Sequence, residues 1–393
     1  MGLETISFVG TTANVTFSLG STAAQSINGG LLILTLASAT TFDNVIGGDG
    51  TDSLTGNGGA NSLTGGAGND LLTGGTGNDT YIFDVDVSPG SDTIDEAVGA
   101  GTDALSFALT TTTGVIVNLG SVSLQVVNSN LSLVLLSDAA IENVTGGSLG
   151  NILTGNDTLN GADGDDLLIG LAGNDVLNGG QQNDRYQFDA DVALGSDTII
   201  DADGIDVLEF VLTTTVGITL DLALTSAQVL NINHTLTLQP GTVIESVLGT
   251  AKDDVILGND AANILVGNAG NDQLAGRAGR DILIGGLGLD VLDGGADDDI
   301  LIGGKTTNDG LIRNLNAIRT EWTSGNLYAT RITNLRAGVG SPVVSLKAKV
   351  NVLNDSTSGS VDTMTGGLGD DWYFRALDDV IADLFAGEII DLL

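Results

Sequence analysis

The sequence contains no cysteine. Disulfides and thiolate metal sites are excluded, and any staple must be non-covalent, a metal ion for example. Histidine occurs once, as His234 in "LNINHTLTL". There it reads as a surface or packing residue of a strand, and no Ser/His/Asp set can be assembled around it. Aromatic residues make up 4% of the chain and proline occurs three times. No run of about 18 apolar residues exists, so no transmembrane segment is expected. The opening "MGLETISFVG" lacks a basic region followed by an apolar core, so it does not read as a secretory signal peptide. Positive charge is scarce as well: 12 Lys and Arg stand against 50 Asp and Glu, for a net charge of −38. Such a chain is a poor partner for nucleic acid or anionic membrane and a good one for cations.

Apolar residues are not lacking. They make up 42% of the chain, too many for an acidic disordered polymer. A fold is expected, provided something offsets the self-repulsion. The 58 glycines point to what that is, because many of them fall in a strict metre of nine.

With the glycine pair as positions one and two, nonads start at Gly47, Gly56, Gly65 and Gly74. A second block runs from Gly146 through a shortened nonad to Gly161, Gly170 and Gly179. A third starts at Gly249, Gly258, Gly267, Gly276, Gly285 and Gly294. Position six holds Asp52, Asp70 and Asp79 in the first block, and Asp157, Asp166, Asp175 and Asp184 in the second. In the third it holds Asp254, Asp272, Asp281, Asp290 and Asp299; Asn61, Asn151 and Asn263 are the neutral exceptions. Position eight is apolar or Tyr. A lone nonad, "GGLGDDWYF", adds Asp371.

A period of nine suits neither an amphipathic helix nor a hairpin meander. It suits a half-coil: a six-residue turn, then three strand residues with only the middle one inward. Two nonads make one coil, so turns eighteen residues apart stack about 4.8 Å from one another. Glycine supplies backbone angles that other residues resist. The turns collect carbonyl oxygens and a carboxylate at one point, a donor set that suits Ca²⁺.

"GGAGNDLLT", "GGTGNDTYI", "GLAGNDVLN" and "GGLGLDVLD" resemble the RTX nonapeptide, G-G-x-G-x-D-x-U-x, a known calcium-binding repeat. The resemblance implies an all-β fold, a right-handed parallel β-roll or β-solenoid with calcium between stacked turns. It also implies sharing pairs: Asp52 with Asp70, Asp166 with Asp184, Asp254 with Asp272, Asp272 with Asp290, and Asp281 with Asp299. The departure "QQ" at Gln181 and Gln182 weakens one turn. Proteins of this family leave the cell by type I secretion, read from an uncleaved C-terminal signal, and the acidic, apolar "DDVIADLFAGEIIDLL" is similar in composition to such signals.

Between the blocks, "ISFVGTTANVTFSLG", "LSFALTTTTGVIVNLG" and "LEFVLTTTVGITLDLA" repeat one another and read as short strands. Three units follow: 1–82 with nonads at 47–82, 83–187 with nonads at 146–187, and 188–304 with nonads at 249–304. Residues 305–393 form a small mixed α/β cap and possible secretion-signal region. Within it, "NDGLIRNLNAIRTEWTSG" places Leu311, Leu315, Ile318 and Trp322 on one helix face. That face is expected to dock on Ile264, Val266, Ile282, Ile284, Ile300 and Ile302, the apolar positions seven and nine of the third block.

Carboxylates abound in the turns, but without a cleft of aromatics for a sugar, and the glycine runs lack the Lys and Ser/Thr of a phosphate loop. No enzyme is read. The expected function is a secreted or surface, calcium-binding structural or adhesion protein that folds on meeting extracellular Ca²⁺. Its partners would be calcium ions and a cell-surface or matrix component, or further copies of itself. A non-catalytic module of a larger exoenzyme and an ice-binding protein, the latter from the Thr110–Thr113 and Thr213–Thr215 runs, are the alternatives.

Overall fold

Each nonad of the computed structural model is a glycine-rich turn followed by a strand that starts at position seven. The structure describes residues 4–96, 101–137, 140–155, 158–201, 203–341, 343–347, 352–353 and 361–393. Two compact units divide the chain, Met1–Asp184 and Arg185–Leu393.

In the first unit, strands at Thr5–Ser7, Asn44–Ile46, Ser62–Thr64, Thr80–Ile82, Ala104–Ser106 and Asn143–Thr145 stack in parallel. Thr158–Asp163 and Val176–Gln181 extend them. Only the middle residue of each three-residue strand is apolar and inward. Val45, Leu63, Tyr81, Leu105, Val144, Leu159 and Leu177 therefore form one column, each at most 1% exposed. A second parallel set faces it: Thr16–Ser18, Ser53–Thr55, Leu71–Thr73, Gly90–Ile94 and Leu131–Leu135. Its inward column is Phe17, Leu54, Leu72, Ile94 and Leu135. The longer stretches between blocks enter the same sheets and add antiparallel hairpins at Gln25–Ile27 with Leu32–Leu34, and at Gln125–Val126 with Leu131–Leu135. The protein is an all-β parallel roll, as the nine-residue metre requires.

The second unit repeats the design. One parallel sheet runs through Val207–Glu209, Ser246–Leu248, Ile264–Ala269, Ile282–Leu287, Ile300–Ile302, Trp372–Arg375 and Ile389–Leu392. The facing sheet runs through Thr219–Asp221, Val255–Leu257, Gln273–Ala278, Val291–Ala296, Thr363–Leu368 and Val380–Ile381.

Two helices, α1 (Ile312–Trp322) and α2 (Tyr328–Ala337), are the only α-helices among the described residues. They cover the outer face of the first of these sheets. Leu315, Ile318, Trp322, Ile332 and Leu335 pack on Ile264, Val266, Ile282, Ile284, Ile300 and Ile302, with Trp372 and Phe374 completing the cluster. Each such side chain contributes about 1.5–3 kcal/mol when fully buried. The docking expected from sequence is present, with one correction. Leu311 is 53% exposed, because α1 begins after it and its side chain precedes the buried stripe.

Candidate metal centre

The turn's geometry follows from its glycines. Position two takes left-handed backbone angles, φ +101° at Gly66 and +110° at Gly286, which residues with a Cβ resist. Position one needs space instead. A Cβ on Gly65 would lie 2.3 Å from Oδ2 of Asp70, and one on Gly267 would lie 2.2 Å from Oδ2 of Asp272. The missing side chain at position one is what lets the position-six carboxylate fold back over its own turn.

Those carboxylates form ladders. The backbone N–H of Asp52 donates to Oδ1 of Asp70 at 2.7 Å, eighteen residues on. Asp70 donates in turn to Asp92, Asn61 to Asp79, and Asp79 to Asp103. Asn151 donates to Asp166, and Asp166 to Asp184. In the second unit one ladder runs Asp254, Asp272, Asp290, Asp362, Asp379, and the other runs Asn263, Asp281, Asp299, Asp371. All five sharing pairs implied by the repeat are thus brought together, one coil apart.

The second carboxylate oxygen distinguishes the rungs. Oδ2 of Asp70, Asp79, Asp92, Asp166, Asp272, Asp281, Asp299 and Asp371 is buried and accepts no hydrogen bond from the described residues. In Asp52 both oxygens accept an amide, from Val15 and Gly48. In Asp254 they accept the amides of Ile218 and Thr250 and the Thr250 hydroxyl. The first acid of each of these runs has both oxygens met, Oδ1 by an amide of the long coil beneath it and Oδ2 by the position-two amide of its own turn. Asp175, Asp184 and Asp290 are buried within the same turns. Asp157 lies outside the described residues.

A buried carboxylate oxygen without a donor is costly unless a cation or a proton meets it. The electrostatics reflect this. Burial pushes the pKa of Asp70 up to about 6, against the pull of the Asp52 amide and with a further push from the Asp52 charge. Burial likewise raises Asp92 and Asp166 to about 7, and Asp272 and Asp281 to about 8. Asp299 reaches about 10, from burial first and the neighbouring Asp281 charge second. These stacked oxygens, beside glycine carbonyls, fit a hard divalent cation. Position-one carbonyls face the preceding coil's turn: that of Gly285 lies 2.6 Å from where a Cβ of Gly267 would stand.

Four ladder acids were not read from the sequence: Asp92, Asp103, Asp362 and Asp379. A signal existed for all four. "GSDTI" at 90–94, "GTDAL" at 101–105, "SVDTM" at 360–364 and "LDDVI" at 377–381 keep the second half of the nonad, Asp followed two places on by an apolar residue.

The family model for the RTX calcium-binding nonapeptide repeat matches the chain four times, over residues 46–81, 153–186, 244–274 and 275–308. The chain carries RTX calcium-binding repeats. Calcium is the ion that RTX nonads bind, and the repeats themselves are non-catalytic modules. No curated protein matches the chain.

Outside the RTX turns, His234 is buried against the stacked pair Phe188 and Phe210, with Nε2 3.0 Å from Asp197 Oδ2. It is a packing residue of the core. The Thr runs are engaged within the fold. Asp86 accepts the amides and hydroxyls of Thr111 and Thr112, and Asp191 does the same for Thr214 and Thr215. Thr110 and Thr213 are buried and accept the amides of Val85 and Ala190. No helix among the described residues is long and apolar enough to cross a membrane.

Proposed function

We propose that this protein is a secreted calcium-gated scaffold whose roll becomes ordered when Ca²⁺ enters the aspartate ladders. The observation that carries the reading is the stack of buried Oδ2 atoms on Asp70, Asp166, Asp272, Asp281, Asp299 and Asp371 that lack a hydrogen-bond donor among the described residues. In a calcium-poor interior these carboxylates stay ionised and solvated, the turns repel, and the chain remains extended and fit for export. Outside, calcium at concentrations near the roughly 10⁻⁴–10⁻³ M dissociation constants of extracellular modules neutralises them. Binding and folding are then one event.

The ligands in this reading are the position-six acids from Asp70 to Asp371 apart from Asp254, joined by Asp92, Asp103 and Asp362; both oxygens of Asp52 and of Asp254 are already met by amides. A net charge of −38 gives the ordered product a strongly anionic surface, suited to cell-surface layers, adhesion or matrix, with no chemistry of its own. Calorimetric titration of the chelated chain with CaCl₂ at pH 7.5 tests the reading. Several ions should bind with a large exothermic folding signal. Heats no larger than dilution would end it.

A further inference from the structure

Three RTX nonads carry Asn at position six, and in one of them arginine side chains reach the turn. The nonad that starts at Gly258 carries Asn263 at position six, so it brings no carboxylate to its ladder. Its carbonyl oxygens are met by guanidinium groups. Arg277, one coil later, donates from Nη1 to the Gly258 carbonyl at 2.7 Å. The same guanidinium holds both oxygens of Asp221, at 2.7 Å each, with Asp260 adding a further negative charge. A fixed cation thus sits among one carbonyl and two carboxylates, a set of oxygens that elsewhere would suit a metal. Arg277 occupies position two with φ +81°, where Gly286 and Gly295 stand in the next coils. A residue with a Cβ resists that conformation, and the bidentate Asp221 contact offsets it.

The far side of the turn is met from the helical cap. Arg319, on α1, donates from Nε to the Ala262 carbonyl at 2.7 Å. The carboxylates of Glu245 and Asp281 act on it there. Positions one and five of a single turn are therefore both capped by arginine, one from the roll and one from the cap.

We propose that the Gly258–Asn263 turn is a calcium-independent rung, in which Arg277 and Arg319 take the place of the metal. The inference rests on the calcium reading of the remaining rungs. Its consequence is that the start of this ladder and its latch to α1 persist when calcium is withdrawn, leaving a preformed edge on which the metal-dependent coils assemble.

Hydrogen exchange on the full chain, with and without chelator, separates the possibilities. The amides of Asn259, Ala261 and Asn263 each donate a hydrogen bond within this turn or to Asp281. They should stay protected in chelator, while those of Asp272 and Asp290 exchange at least tenfold faster. Loss of protection in the Gly258–Asn263 turn together with the others overturns the inference and leaves the calcium reading standing. If no turn responds to chelator, both fail. A second measurement does not depend on exchange. The double variant Asn263→Asp/Arg277→Gly restores the carboxylate and opens position two, and should bind one calcium more than the parent by calorimetry; an unchanged count contradicts the proposal.

Discussion

The backbone N–H of Asp299 donates to Oδ1 of Asp371 at 2.8 Å, although 72 residues separate them. Helices α1 and α2 lie in that interval, so they are an excursion between two consecutive coils, after which the lone nonad resumes the ladder. Trp322 pins the excursion down. It is fully buried, its Nε1 donates to the Asp298 carbonyl at 2.8 Å, and the Arg331 guanidinium stacks 4.5 Å from its ring. Trp322→Ala should destabilise the second unit by roughly 3–5 kcal/mol. Leu311→Ala, at an exposed site, should change stability by no more than about 0.5 kcal/mol. Chemical denaturation in saturating calcium measures both, and equal effects would mean that α1 is not anchored as described.

Rungs with and without an amide on Oδ2 should respond differently to loss of charge. Asp272→Asn keeps one acceptor oxygen but removes the charge from a buried rung, so the chain should bind fewer calcium ions and need several-fold more calcium to fold. Asp52→Asn breaks amide contacts from Val15 and Gly48. It should weaken the fold in any metal concentration while leaving the ion count intact. Equilibrium dialysis gives the counts, and a matching loss of ions in both variants would contradict the distinction.

Position one of the nonad is a question of space. A Cβ at residue 65 would meet Asp70 Oδ2 at 2.3 Å and its Cβ at 3.0 Å, so Gly65→Ala displaces the carboxylate. Calcium affinity should fall about tenfold or more, which corresponds to roughly 1.4 kcal/mol. At Gly58 the nearest atom to an added Cβ is Thr76 Oγ1 at 3.3 Å, the far end of a small side chain. Gly58→Ala should bind calcium like the parent. Titrations of the two variants side by side decide the point.

Acid should substitute for metal. Five ladder carboxylates have folded-state pKa values well above their unfolded values, about 6 for Asp70, 7 for Asp92 and Asp166, and 8 for Asp272 and Asp281. The folded state therefore binds protons more tightly than the unfolded chain. Stability from this source is complete below the ordinary carboxylate pKa near 4 and is lost as pH rises through 6 to 8. The metal-free chain should hold its β-structure at pH 4 and lose it by pH 8, and apparent calcium affinity should rise over the same interval. A metal-free chain that is more ordered at pH 8 than at pH 4 would reverse the sign and contradict the assignment.

Much of this was legible in the sequence, because the nonad writes its own geometry. Position eight became the core column from Val45 to Leu177, and the position-six acids became ladders with the expected partners. What the metre could not carry was the register of the longer coils. Which amide lies under Asp52 or Asp254 depends on how Val15 and Ile218 stack, and neither belongs to a nonad. Asp92 and Asp103 were missed for the same reason, since they enter the ladders after gaps of 22 and 24 residues. Helix α2 was missed because its buried face includes Arg331 beside Ile332 and Leu335, a pattern that hydrophobic periodicity does not flag.

Far-UV circular dichroism of the full chain at pH 7.5, recorded through a calcium titration from excess chelator to 10 mM, tests the central claim most directly. A cooperative passage from a disordered spectrum to a β spectrum, reversed by chelator, is the predicted result. An unchanged β spectrum after exhaustive metal removal at that pH would contradict it.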